Sequence, residues 1–197
     1  MRHGDPLSVT DGRGAWRWCR FGPELIVEGE IECVPPPRPP ITVAFALVKG
    51  EKPELVVQKL TELGVDHIIP FIAERSVVRW DEAKIERNTA RLRRVAVEAS
   101  MQSRRSWFPD VSPLATFDEI LAVPGIRHAD RYGEAPSIGS PAVMIGPEGG
   151  WSDSERSRFA SSIALGSGVL RAETAAIAAG AILCGLRDGL IAEYRRS

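Results

Sequence analysis

The 197-residue chain is predicted to be an α/β protein with a parallel sheet, and three observations support this prediction. An unbroken apolar run over residues 41–48 is typical of a parallel strand that is covered on both faces. A helical segment and a second apolar strand follow this run, separated only by short loops, which is the pattern of a βαβ unit. Nearer the C-terminus, a strand ending at Ile145 passes into a glycine turn and then into a helix start. In open α/β sheets this junction is a usual ligand site, although a tight turn without a ligand fits the pattern equally well.

The first 40 residues are predicted to form a small β region outside this sheet. Short strands over residues 7–10, 15–21 and 25–33 are divided by glycine-containing turn signals. Three strands are too few for an independent core, so the region is either a fragment of a β domain or an extension packed on the main body. Residues 35–40 contain five prolines, which exclude a helix and a central strand. We therefore divide the chain into regions 1–40 and 41–197.

The middle of the chain is predicted to contain two helices. Pro53 suits a first helical position and Gly64 suits a helix C-cap, so the first helix covers residues 53–63, after a loop over residues 49–52. A strand over residues 67–72 follows directly. Residues 75–80 form a loop or a short strand, and Asp81 can cap a long helix that ends near residue 103.

The C-terminal part is predicted to alternate short strands and helices. A helix over residues 117–123, a weak polar strand over 126–131 and a loop over 133–141 lead to the strand that ends at Ile145. Ser152 and Glu155 fit a capping box, so a helix is expected from residue 153 to about 162. A strand over 163–166, a loop over 168–172 and a helix over 173–186 complete the prediction. Small residues crowd the start of that helix, and close helix packing, a cofactor, a subunit interface or burial against the sheet would each explain them.

Composition and charge limit the function classes. The net charge of −1 argues against a uniformly basic nucleic-acid-binding protein, yet residues 84–105 hold seven Lys and Arg against two Glu, a local charge of +5. Four of these cations, Lys84, Arg87, Arg91 and Arg94, share one helical face, which is either a solvated surface or a phosphate-binding surface. No apolar run approaches the roughly 20 residues of a membrane span, and the N-terminus has no apolar signal segment. The three scattered cysteines indicate a reducing cytoplasm rather than a metal site or disulfide framework.

The glycine turn belongs to a set of motifs that resembles a known family. Residues 145–150 read Ile-Gly-Pro-Glu-Gly-Gly, and residues 165–175 read Leu-Gly-Ser-Gly-Val-Leu-Arg-Ala-Glu-Thr-Ala. Matching upstream motifs lie at residues 58–65, 74–77, 98–99 and 102–105. In this order the motifs resemble the RsmE family of 16S rRNA (uracil-N3) methyltransferases, which belong to the knotted SPOUT superfamily. The resemblance runs from residue 41 to the C-terminus, whereas a dinucleotide-binding fingerprint and a Walker A motif are both missing from the sequence.

The resemblance implies a more specific fold and assembly. The parallel α/β domain would thread its C-terminal segment through a loop to form a deep trefoil knot. S-adenosyl-L-methionine would bind in the knot, and two chains would form a homodimer through the knot region, without a metal. The PUA-like β barrel that begins members of this family would be only partly present, as a truncated remnant within residues 1–40. The implied partner is 16S rRNA in the small ribosomal subunit, in the cytoplasm and away from membranes.

The resemblance also assigns roles to particular residues. The expected cofactor-binding residues come from two loops: Ile145, Gly146, Gly149, Leu165, Gly166, Val169, Leu170, Ala172 and Thr174. Arg171 is the candidate for stabilising charge on the uracil oxygens, and Glu148 either accepts the N3 proton or holds Arg171 through an ion pair. The expected rRNA phosphate contacts come from nine cations: Lys49, Lys52, Lys59, Arg75, Arg79, Arg91, Arg94, Arg104 and Arg105.

Two alternatives to this enzyme remain open at the level of sequence. The chain could be an RNA-binding remnant whose catalysis is impaired, which the short N-terminal region favours and the intact cofactor motifs disfavour. It could also have another SPOUT activity, such as 2′-O-ribose methylation. The position of the methyl group on the product would separate methylation of the base from methylation of the ribose.

Overall fold

The computed structural model describes residues 1–49 and 52–193 and contains two β-sheets. The N-terminal sheet has four antiparallel strands: β1 (Pro6–Thr10), β2 (Ala15–Arg20), β3 (Ile26–Val27) and β4 (Glu32–Cys33). The prediction of one continuous strand over residues 25–33 was wrong. Val27 pairs with Cys19 and Cys33 pairs with Ala15, so β2 advances four residues while its partner advances six. The two additional residues bulge out of register and divide the predicted strand into β3 and β4.

The N-terminal sheet is hydrogen-bonded to the segment that follows the long second helix. The amide of Gly14 donates to the carbonyl of Ser106 at 2.9 Å, and the amide of Phe108 donates to the carbonyl of Gly12 at 2.9 Å. The indole Nε1 of Trp107 donates to the carbonyl of Val34, also at 2.9 Å. These contacts pack the N-terminal region against the main body.

The main sheet has seven parallel strands in the described part of the chain, which confirms the predicted fold class. Its strands are β5 (Thr42–Ala46), β6 (His67–Ile72), β7 (Asp110–Val111), β8 (Ala115–Thr116), β9 (Ile126–Glu134), β10 (Ala142–Ile145) and β11 (Ser162–Ile163). The order across the sheet is β11-β9-β10-β5-β6-β7, and β8 also pairs with β6. Strand β10 lies between two strands: β9, which directly precedes it in the chain, and β5, which begins the domain. The carboxyl ends of β9 and β10 consequently meet next to that of β5.

The described part of the chain contains five helices. They are α1 (Lys52–Leu63), α2 (Glu82–Gln102), α3 (Phe117–Leu121), α4 (Asp153–Arg156) and α5 (Ala172–Arg187). Asp81 caps α2 as predicted, because its side chain accepts a hydrogen bond from the amide of Lys84 at 2.9 Å. Residues 75–80 contain no strand, and of the predicted loop 49–52, Gly50 and Glu51 lie outside the described residues. None of the helices among residues 1–49 and 52–193 has the length and apolarity that crossing a membrane requires.

The core lies on both faces of the main sheet. All five residues of β5 are buried, as expected for a strand between two others. On one face, α1 and α5 pack closely: a Cβ added to Gly180 would lie 2.7 Å from Cδ2 of Leu60. Close helix packing therefore accounts for the small residues in the middle of α5. On the other face, Phe71 and Trp151 stack with ring centroids 6.2 Å apart.

Several boundaries in the C-terminal part differ from the prediction: α3 ends at Leu121 rather than at residue 123, and β11 covers residues 162–163 rather than 163–166. Strand β9 continues to Glu134, where a loop was expected, because the backbone of β11 pairs with it and lies directly against Gly133. Helix α4 ends at Arg156 rather than near residue 162. The chain leaves the helix because Phe159 turns inward and stacks on His128, with ring centroids 3.9 Å apart.

The ring of His128 should make the stability of this region pH-dependent. Burial lowers the pKa of His128, and the charge of Arg156 acts in the same direction, while its hydrogen bond to the carbonyl of Ser161 and the charge of Asp130 oppose this shift. A lowered folded-state pKa means that the unfolded chain binds the proton first as the pH falls. Stability is therefore greatest above the ordinary histidine pKa and decreases below it.

We expect the melting temperature to fall by roughly 1–3 °C between pH 7.5 and pH 5.5 through this residue, because the ring is only half buried. The measurement is thermal unfolding at both pH values for the wild type, His128→Gln and His128→Phe. Both variants should lose part of the decrease, since neither side chain takes up a proton. An equal decrease in all three proteins would contradict the assignment to His128.

Candidate functional site

A pocket of about 650 Å³ lies where the carboxyl ends of β9 and β10 meet two loops. The first loop, residues 146–152, follows β10, and the second, residues 164–171, leads into α5. The residues that line the pocket are Ala129, Asp130, Arg131, Ile145, Gly146, Pro147, Glu148, Gly150, Trp151, Leu165, Gly166, Gly168, Val169, Leu170, Arg171, Ala172 and Ala175. The volume is in the range of small-molecule and cofactor sites.

The first loop is held in place by its own side chains. A Cβ on Gly146 would lie 2.7 Å from Cε2 of Trp151, so only glycine lets the backbone approach this indole. Glu155 is buried and closes a capping box on Ser152, while its other oxygen accepts a hydrogen bond from the amide of Glu74 at 2.8 Å. The loop and the start of α4 are thus fixed to the body of the sheet.

The second loop gives the pocket an apolar wall. Leu165 and Leu170 line this wall, and the small side chains of Ala172 and Ala175 leave space at the start of α5. Four charged residues form the remaining edge: Asp130, Arg131, Glu148 and Arg171. The pocket therefore combines an apolar surface with a few converging polar groups, as ligand sites usually do.

The structure brings most of the predicted cofactor-binding residues into this one pocket. Seven of them line it: Ile145, Gly146, Leu165, Gly166, Val169, Leu170 and Ala172. The remaining two do not. Gly149 faces away, since a Cβ there would lie 3.4 Å from the carbonyl of Arg75, and Thr174 is exposed on α5. Gly149 and Thr174 belong to the two motifs whose other residues line the pocket. The turn of α5 nevertheless directs the side chain of Thr174 outward.

Strand β9 contributes residues to the pocket that the sequence did not predict. Ala129, Asp130 and Arg131 line the pocket, although their polar sequence indicated only a weak strand. They reach the site because β9 is the neighbour of β10, an arrangement decided by strand order. Five other missed residues could have been found from the motifs themselves, because four lie inside them and one follows the glycine turn directly: Pro147, Gly150, Gly168, Ala175 and Trp151.

Glu148 is paired with Lys52 and not with Arg171. The ammonium Nζ of Lys52 lies 2.9 Å from Glu148 and 3.0 Å from Glu173, so it joins the first loop to the start of α5. The hydrogen bond to Glu148 is the largest reason that the pKa of Lys52 is raised, followed by the one to Glu173. The predicted Glu148–Arg171 ion pair is therefore corrected, and Lys52 is engaged in the protein rather than available for phosphate.

Arg171 is one of the two arginines that line the pocket, the other being Arg131. Arg171 occupies the N-cap position of α5, and its exposed guanidinium makes no hydrogen bond or ion pair within residues 1–49 and 52–193. A cation that lines a ligand pocket without a protein partner is free to contact a bound substrate. The position of Arg171 therefore suits the predicted role of stabilising negative charge.

The nine predicted phosphate-binding cations divide into two groups. Arg105 is largely buried: it donates to the carbonyls of Thr61 and Val65 at 2.9 Å, and burial lowers its pKa. It is a structural residue, which corrects the prediction of RNA contact. Four others have partners in the protein: Lys52, Lys59 with Glu62, Arg79 with the carbonyl of Glu74, and Arg91 with Glu54. Lys49, Arg75, Arg94 and Arg104 are exposed and make no side-chain hydrogen bond or ion pair in the described part of the chain.

Comparison with known proteins gives consistent results. The model of an RNA methyltransferase domain matches residues 35–184. The chain is 33% identical to ribosomal RNA small subunit methyltransferase E of Mycobacterium bovis, over 92% of this chain and 79% of that protein. It is 30% identical to the Aquifex aeolicus protein of the same name, over 80% and 73%. A crystal structure of a Neisseria gonorrhoeae ribosomal RNA small subunit methyltransferase E bound to S-adenosylmethionine superposes with a TM-score of 0.77 at 27% identity, covering 94% of this chain and 85% of that one.

Proposed function

Since the chain belongs to the RNA methyltransferase family that includes ribosomal RNA small subunit methyltransferase E, we propose that it transfers a methyl group from S-adenosylmethionine to N3 of a uridine in 16S rRNA. The observation that carries the proposal is the convergence of both glycine loops and β9 on one pocket. A relative with the same fold is bound to S-adenosylmethionine. Small ribosomal subunits place the reaction in the cytoplasm.

The pocket fits S-adenosylmethionine in size and in chemistry. Leu165 and Leu170 offer an apolar surface for the adenine ring, and the missing Cβ of Gly146 lets backbone groups approach a ligand. Asp130 and Glu148 are carboxylates that suit the ribose hydroxyls and the amino group of the methionine part. When bound, the cofactor supplies an electrophilic methyl group on a sulfonium. The protein contributes position, which is a large part of the acceleration of an in-line displacement.

Arg171 is assigned to the substrate side of this site. Transfer of the N3 proton to water leaves negative charge on the uracil oxygens, and a guanidinium that has no ion pair in the described residues can donate hydrogen bonds to them. Glu148 is held by Lys52, so its carboxylate is fixed at the edge of the pocket. We therefore propose that Arg171 orients the base and stabilises the charge, with Glu148 positioning the first loop.

Replacing Arg171 by alanine should lower kcat by about 100-fold or more, as the loss of a charge-stabilising donor generally does. Affinity for S-adenosylmethionine should change by less than about threefold, because the interaction forms mainly with the base. Steady-state methylation and calorimetry measure the two quantities. Arg131→Ala is the matched control, since it also removes an arginine that lines the pocket. An equal loss of kcat in both variants would contradict a specific role for Arg171.

Two measurements test the proposed function as a whole. Titration calorimetry should show binding of S-adenosylmethionine, and absence of binding at tens of micromolar would exclude the enzyme. Transfer of a tritiated methyl group to small subunits that lack the modification should yield 3-methyluridine on nucleoside analysis. A 2′-O-methylated nucleoside would instead identify another SPOUT activity. Binding of rRNA without cofactor binding would identify an RNA-binding remnant.

We further propose that rRNA phosphates lie along the exposed cations. Arg87 and Arg94 lie on α2 and Arg104 follows its end, and all three side chains are exposed without an ion pair in the described residues. Such contacts position RNA without reading its sequence, and each one increases the dependence of binding on salt. Charge-removing variants should therefore flatten the dependence of RNA affinity on salt, and an unchanged slope would exclude this surface.

The finer architecture is also a proposal. The order of β9, β10 and β5, with α5 packed on α1, supports a C-terminal trefoil knot, and the family supports a homodimer through that region. Exposed apolar side chains in the N-terminal region, among them Leu25, Ile26 and Ile31, support a PUA-like β domain within residues 1–40 followed by the methyltransferase domain, residues 41–197. The last four of those residues lie outside the described structure. Analytical ultracentrifugation tests the dimer, and a monomer at micromolar concentration would exclude it.

A further inference from the structure

A second groove, of about 410 Å³, runs between α1 and α2 and has no role in the cofactor pocket. Its lining residues are Glu54, Leu55, Gln58, Arg91, Val95, Glu98, Ala99 and Gln102. Leu55, Val95 and Ala99 form an apolar floor. The polar side chains come in two pairs, Glu54 with Gln58 and Glu98 with Gln102, each pair spaced four residues apart and therefore on one helical face.

Three polar side chains of this groove lack a partner among the described residues. The side chains of Gln58, Glu98 and Gln102 are exposed and make no hydrogen bond or ion pair within residues 1–49 and 52–193. Glu54 is more informative, because one oxygen pairs with Nε of Arg91 at 3.1 Å while the other, Oε2, is buried and accepts no hydrogen bond. A buried carboxylate oxygen without a donor is costly and usually has an explanation. A hydrogen bond from an N–H group of a ligand in the groove would satisfy Oε2 of Glu54.

The groove presents the chemistry of a nucleobase site. A carboxylate acceptor next to an amide donor matches a base edge on which an N–H group lies beside a carbonyl oxygen, and a flat ring can lie on the apolar floor. Arg87 and Arg94 lie on α2 one turn to either side of Arg91, so exposed positive charge borders the groove where phosphates would run.

We propose that this groove binds one unpaired uracil of the RNA substrate. The uracil N3–H donates to Oε2 of Glu54, and the amide groups of Gln58 and Gln102 donate to the uracil oxygens. This inference rests on the proposed function, because it assigns a second site that recognises the same RNA. It also predicts discrimination against a uracil that is already methylated, since methylation removes the N3–H donor.

The test is binding of fluorescently labelled hexauridylate to the full chain, followed by fluorescence anisotropy. Gln58→Leu and Gln102→Leu should each weaken binding by about 3–10-fold, the usual effect of one lost hydrogen bond. The same oligomer made of 3-methyluridine should bind the wild type at least about 5-fold more weakly. Asn88→Leu is the matched control, because it removes an amide from α2 outside the groove and should leave affinity unchanged.

The outcomes separate this inference from the proposed function. Equal affinity for hexauridylate and its methylated form, or unchanged affinity in both glutamine variants, overturns the groove even if the protein methylates rRNA. Groove variants that dissociate a dimer also overturn it, because the groove would then be a subunit contact. If the wild type fails to bind S-adenosylmethionine, the proposed function is wrong, while the hexauridylate measurements still decide the groove.

Discussion

Replacing Asp66 by alanine should destabilise the protein by about 3–5 kcal/mol, the usual cost of leaving a buried charge without its partner. Asp66 lies between two guanidinium groups: Nη1 of Arg187 at 2.7 Å and Nη2 of Arg105 at 3.5 Å. The side chains of Arg187, Arg105 and Asp66 are only 6%, 12% and 14% exposed. Without the carboxylate, two cations would remain close together in a largely dry environment.

Asp66 also connects separate parts of the fold. Its Oδ2 accepts a hydrogen bond from the amide of Ile41 at 2.8 Å, at the start of the first parallel strand. Arg187 belongs to the end of α5 and donates to the carbonyl of Gly64, while Arg105 follows α2. The single carboxylate therefore holds together the ends of α1, α2 and α5. Its removal should lower the stability of the whole domain.

Chemical denaturation of the wild type, Asp66→Ala and Asp188→Ala measures this effect. Asp188 contacts the same guanidinium, Nε of Arg187, at 2.9 Å, but its side chain is 48% exposed. An exposed ion pair contributes about 0–1 kcal/mol, so the control should unfold close to the wild type. A loss below about 1 kcal/mol for Asp66→Ala would show that the arginines find other partners.

Gly146→Ala should weaken binding of S-adenosylmethionine by at least about tenfold and cost about 1–3 kcal/mol of stability through overpacking. The added methyl group would lie 2.7 Å from Cε2 of Trp151, an indole that is 5% exposed and stacked on Phe71. Because this ring lies between the sheet and the first loop, it has no space to retreat. The loop itself must move, and the cofactor pocket changes shape with it.

The matched control is Gly168→Ala in the second loop. Gly168 also lines the pocket, but a Cβ at that position would meet no protein atom within 4 Å. Calorimetry with S-adenosylmethionine should therefore show a much larger loss of affinity for the variant at residue 146. Similar losses in both variants would mean that the methyl groups obstruct the ligand directly, without displacement of Trp151.

The parallel sheet, its first βαβ unit and the helix caps could be predicted because their signals are local. The apolar run of β5, the proline at the start of α1 and the caps at Asp81 and Ser152 depend only on neighbouring residues, and the structure confirms them. Local signals failed where long-range pairing decided the outcome. Strand β9 extends to Glu134 because β11 pairs with it, and α4 is short because Phe159 stacks on His128.

The site shows the same division. The sequence by itself determined the two glycine loops, the family and the cofactor class, since these depend on motifs that stay contiguous along the chain. Tertiary structure alone decided that β9 supplies Asp130 to the pocket, that Lys52 rather than Arg171 holds Glu148, and that Arg105 is buried. The physical reason is that charge and burial depend on which residues are brought together by strand order and helix packing. Lys52 and Glu148 are 96 positions apart, so the sequence around either residue does not predict their contact.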